Sequence, residues 1–158
     1  MALAAILSCS VAGVALAGTP TAAVRYAAGS PALTTAQNLA IAHWGSSPCA
    51  GQVAIVWKRQ SADINAMSLW STAGEDPYGD PSDNQDCEVD LNPAATWDWP
   101  KLCTVVMHEY GHLTGHDHDP HPGRLMSAIY TTPAPECTAT ADPQALVARR
   151  QSALVIAG

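Results

Sequence analysis

His108-Glu109-Tyr110-Gly111-His112-Leu113-Thr114-Gly115-His116-Asp117-His118 is the stretch on which the fold turns. Pro100, a residue suited to a first helical turn, lies just upstream. Leu102, Val105, Val106, Glu109 and Leu113 fall at 3.6-type spacing, so a well-packed helix is expected to run from near Pro100 and stop at Gly115. On that helix His108 and His112 lie about 40° apart on one face, and both imidazoles can reach one ion. Glu109 is turned by about 100° from His108. It can address a water on the ion without being a ligand. Zinc in a catalytic site takes three protein ligands and keeps a fourth position for water. There are two candidates for the third ligand. His116 is at i+4 again, but three His along one continuous face form a line and cannot wrap a tetrahedral ion. His118 lies three residues past Gly115. A positive φ at Gly115 turns the chain and brings His118 back from another direction. His118 is therefore expected as the ligand, with His116 the alternative.

Outward from this helix, the chain reads as a small mixed fold. Thr34-Thr35 is expected to cap a helix running to about Trp44, stopped by Gly45-Ser46-Ser47-Pro48. Gln52 to Lys58 is a near-continuous apolar run rich in β-branched residues, which predicts a strand buried on both faces. Ala22 to Ala27 and Ala66 to Trp70 read as further short strands. Glu75 to Asp86 reads as a Gly/Pro/Asp-rich loop. Cys87 to Leu91 alternates, which predicts an edge strand with one wet face, ended by Asn92-Pro93. Asp142-Pro143 is a cap followed by a first turn, and opens a last helix to about Ile156. The fold class is α/β (α+β): helices layered on a small twisted mixed sheet. No internal repeat and no second-domain boundary is visible.

Composition and the N-terminus set the context. The 158 residues are 47% hydrophobic and 13% charged, enough for one domain with a real core. The net charge is −7, and seven Lys and Arg are scattered, so nucleic acid is not an expected partner. Residues 1–17 read as a signal peptide ending in Ala15-Leu16-Ala17, although no basic residue precedes the apolar run. A start codon placed too far downstream would explain that absence. Secretion is the expectation; the alternatives are an uncleaved N-terminal membrane anchor and a lipid-modified Cys9. Removing the leader takes Cys9 and leaves Cys49, Cys87, Cys103 and Cys137. Four Cys in a small exported chain suggest two disulfides with three possible connectivities. Of these, Cys49–Cys87 with Cys103–Cys137 is the pairing we expect.

The motif His108-Glu109-x-x-His112-x-x-Gly115-x-x-His118 resembles the zinc signature of the metzincin metallopeptidases. These also carry a Met-containing turn beneath the metal, and Met126 in Leu125-Met126-Ser127-Ala128-Ile129-Tyr130 fits it. The eight-residue interval from His118 to Met126 is similar to that of the matrixins, the matrix-metalloproteinase clan. Asp90-Leu91-Asn92 followed by Trp97 also looks like the strand and Trp that precede the matrixin helix. The resemblance implies a secreted zinc endopeptidase with a minimal catalytic domain: mature segment 18–33 and catalytic domain 34–158, split at 115/116. It implies His108, His112 and His118 on Zn²⁺, Glu109 as general base, and Gly115 and Met126 as structural support. Tyr130 matches the position that walls the pocket for the first primed substrate residue. An extended protein or peptide substrate is implied along the edge strand, placed here near Cys87 to Asn92, with the chain a monomer.

The chain departs from the matrixin pattern in several places. Asp119 stands where matrixins usually have Ser, as in the adamalysin branch. No Tyr lies two residues after Met126, and no Cys lies between Ala17 and Thr34 to block the metal. The His-containing structural-zinc loop is absent. In its place is an acidic stretch, residues 75–90, with seven of the fourteen Asp and Glu. It is expected to be a solvated loop, with Ca²⁺ held through Asp76, Asp80, Asp83 or Asp86 as the alternative. His116 and His121 are expected to be exposed loop residues. The competing functional reading is a secreted zinc-binding protein without peptidase activity.

Overall fold

The computed structural model describes residues 25–72 and 80–156. The expected leader, 1–17, lies outside the described residues, as do Glu75 and Asp76. Four α-helices and one sheet are described: α1 (Pro31–Trp44), β1 (Ala54–Trp57), β2 (Ala66–Thr72), β3 (Asn84–Leu91), α2 (Trp99–Leu113), α3 (Pro135–Ala139) and α4 (Pro143–Ile156). Short 3-10 turns cover Pro48–Gly51 and Pro81–Asp83. The mixed α+β class is as expected. Of the first strand expected over Ala22–Ala27, residues 25–27 are described and are not strand.

The sheet order is β1-β3-β2, with β1 parallel and β2 antiparallel to β3. This corrects two expectations. β3, expected at the edge, is the central strand. β1, expected to be covered on both faces, is an edge strand with Ile55 buried and Ala54 exposed. The physical reason is that period-2 alternation reports two unlike faces, not an open edge. Cys87, Val89 and Leu91 point into the core, while Glu88 and Asp90 point the other way and are bridged by Lys58. A bulge marks the start of β3, where the register shifts opposite Leu69 and Ser71 and Asp86 takes φ +49°.

The core lies between the sheet and helices α1 and α2, which pack on each other. Leu102, Val106 and Leu113 of α2 are completely buried, and each contributes about 1.5–3 kcal/mol by leaving water. Helix α1 starts earlier than expected. Ser30 is its cap, accepting from Leu33 N–H at 3.4 Å, and Pro31 supplies a preset φ at the first turn. The Thr35 hydroxyl bonds back to Pro31 O within the helix. Asp98 caps α2 through Lys101 N–H at 2.9 Å. Asp142 caps α4 through Gln144 N–H at 2.9 Å and also pairs with Arg25 at 2.5 Å.

Both expected disulfides are present. Cys49–Cys87 ties the turn after α1 to β3, and Cys103–Cys137 ties α2 to α3. Such bonds persist in oxidising, extracellular-type surroundings. Among the described residues, no helix is long and apolar enough to cross a membrane.

Candidate metal centre

Helix α2 ends as the sequence requires. Gly115 takes φ +87°, its N–H donates to His112 O at 3.0 Å, and His116 N–H donates to Gly111 O at 2.9 Å. This crossed pair of bonds closes a helix through a left-handed residue. The chain then reverses, and His118 returns toward the helix.

His108, His112 and His118 form one group, with one ligand atom from each lying within 4.8 Å of the others, and they can hold a metal ion. His112 Nε2 lies 3.1 Å from His108 Nε2 and 3.2 Å from His118 Nε2. His108 Nδ1–H donates to Leu125 O and His112 Nδ1–H to His116 O, both at 2.8 Å. Each neutral ring therefore turns its Nε2 lone pair inward. Lone pairs this close repel unless a cation lies between them. A tetrahedral ion with Zn–N bonds of 2.0–2.1 Å separates its nitrogens by about 3.3–3.4 Å, so the donor set fits zinc in type and spacing. Burial holds the pKa of His108 and His112 below the ordinary His value, which favours the neutral ligand form. His118 is exposed, so one side of the group opens to solvent.

The group lies in a cleft of about 400 Å³. Its floor is α2, through Thr104, Val105, His108 and Glu109. One lip is β2, on the side away from β3, and the loop before it; the other is the chain from Arg124 to Thr132. Asn92 shapes the first lip. Completely buried, it donates from Nδ2 to Ser61 O at 3.0 Å and Ile64 O at 2.8 Å. The strand beside the cleft is thus β2, not the Cys87–Asn92 strand, whose two edges are both taken by neighbours.

Glu109 is 5% exposed. Its Oε2 accepts from Ser68 Oγ at 2.6 Å. Burial pushes its carboxyl above the ordinary value, opposed by the Ser68 hydroxyl and by His112 and His118. Met126 is buried against Gly111, and the loop from Asp119 to Met126 is closed by Asp119 N–H donating to Met126 O at 2.8 Å. Tyr130 is half-buried in the cleft wall. His116 and His121 stand outside the group; His121 pairs with Asp119 at 2.7 Å. Among the described residues, the three His are the one cluster brought to metal distance. Of the acids named for the alternative calcium site, Asp80 accepts from Ser82 N–H at 2.9 Å and Asp86 from Ser71 Oγ at 2.8 Å.

Sequence reasoning missed two residues of this centre. Ser68 is 41 positions from Glu109, so only the pairing of β2 brings it there. Gly111 falls at an unconstrained position of the motif. A Cβ there would lie 2.8 Å from Trp44 Cζ2 and 2.9 Å from Met126 Cε. The chain matches no protein-family model and no curated protein.

Proposed function

We propose that this protein is a secreted zinc endopeptidase of the metzincin type, similar to a minimal matrixin catalytic domain. One observation carries the reading: three inward-facing Nε2 atoms share a cleft with a buried carboxylate and with strand β2 along one side. His108, His112 and His118 are the zinc ligands. Zinc bound there lowers the pKa of a water and polarises a carbonyl. Glu109 is the general base and acid. Ser68 occupies Oε2, so the proton taken from the attacking water is carried at Oε1 and passed to the leaving amine. The edge of β2 that faces the cleft binds an extended protein or peptide substrate antiparallel to itself through backbone hydrogen bonds. Tyr130 walls the pocket on the primed side. The test is hydrolysis of casein or a quenched peptide before chelation, after chelation and after zinc return. Activity lost and restored in step supports the reading; activity indifferent to chelation refutes it.

A further inference from the structure

Trp44, the last residue of α1, lies where the supports of all three His ligands meet. Its indole Nε1–H donates to Met107 O at 2.8 Å, the carbonyl just before His108. Its ring edge closes on Gly111, in space shared with the end of the Met126 side chain. Its face carries the His116 ring, with centroids 4.3 Å apart at 38°.

His116 is fixed at further points. Its N–H donates to Gly111 O at 2.9 Å. Its Nδ1 lies 3.2 Å from Thr114 Oγ1. That hydroxyl donates to the Tyr110 and Gly111 carbonyls, 3.0 Å from each, so it accepts from His116 Nδ1–H. The His116 carbonyl then receives His112 Nδ1–H at 2.8 Å. Two residues on, the same turn delivers His118. On the opposite side, Leu125 O orients His108, and Leu125 precedes Met126.

We infer that Trp44 and His116 are positioning residues of the metal centre, acting on His112 through the His116 carbonyl. The inference rests on the triad being a metal site. An imidazole ligand is aimed by the group its other nitrogen bonds, and loss of such a support typically weakens metal binding by about 10–100-fold. The indole plate sets that group for His112 and sets where the chain departs toward His118.

The test is zinc affinity of the folded protein, measured by competition with a chromogenic chelator, with the visible spectrum of the Co²⁺ form reporting ligand geometry. His116→Ala removes an exposed ring and is expected to keep the fold; Trp44→Phe keeps an apolar plate without the indole N–H. Leu33→Ala, in the core end of the same helix, is the control for lost stability. Zinc Kd is expected to rise about tenfold in His116→Ala and Trp44→Phe, with a changed Co²⁺ spectrum. Leu33→Ala is expected to lower Tm and leave Kd within about twofold of wild type. Wild-type Kd and spectrum in both site variants, or a Kd that follows Tm across all three, would overturn the inference. A wild-type protein that binds no zinc would overturn the metal reading itself.

Discussion

The Ser68 hydroxyl donates to Glu109 Oε2 at 2.6 Å and joins the cleft-side strand to the carboxylate next to His108. A hydrogen bond to a charged group is worth about 1.5–3 kcal/mol net. Ser68→Ala is expected to lower kcat/KM by roughly 10–100-fold.

The same variant has a predictable pH signature. Burial raises the Glu109 carboxyl, and Ser68 opposes that rise. In the proposed mechanism Glu109 must be ionised to act as base, so activity is expected to fall on the acid side as Glu109 takes up a proton. Removing the hydroxyl raises the folded-state pKa further, and the acid limb of kcat/KM moves to higher pH. A pH profile of both proteins checks this; an unmoved or lowered limb contradicts it.

Gly111→Ala tests the packing beneath the centre. In an open helix interior this change stabilises by about 1 kcal/mol. Here the new methyl meets Trp44 and Met126, and overpacking costs about 1–3 kcal/mol. The expected result is a lower Tm, partly restored when Met126→Ala is added. A raised Tm would show that the contact yields.

Gly115→Ala meets two obstacles: φ is +87° and Pro81 Cγ lies 2.6 Å from the new Cβ. The left-handed conformation alone costs about 1–2 kcal/mol for a residue with a side chain. Pro81→Ala relieves the contact but not the φ, so the double variant is expected to recover only part of the lost Tm. Zinc content falls with the turn, because His118 reaches the site through it.

Cys103–Cys137 closes a loop of 34 residues between α2 and α3, which in the chain-entropy account stabilises by about 3–4 kcal/mol. Cys103→Ser with Cys137→Ser is expected to lower the unfolding free energy by that amount, measured in urea.

The local part of this architecture is legible in the sequence. His108 and His112 at i, i+4, the turn at Gly115, Pro100 in the first turn of α2 and the Asp142 cap of α4 each depend on neighbours within a few residues. The sheet is less legible. Alternation in Cys87–Leu91 revealed one polar face, but whether a strand lies at the edge depends on β1 and β2, which are distant in sequence. Ser30-Pro31 outcompetes Thr34-Thr35 as a helix start because Pro31 fits the first turn. Ser68, Gly111 and Trp44 owe their places to packing between elements, which no local pattern encodes.

The most direct test compares peptide hydrolysis by wild type and Glu109→Ala at equal, measured zinc content. General-base removal costs about 10²–10⁴ in rate. The account predicts one bound zinc in each, turnover by wild type, and at least about a hundredfold loss in the variant. Zinc-loaded wild type without hydrolysis, or a variant as active as wild type, would contradict it.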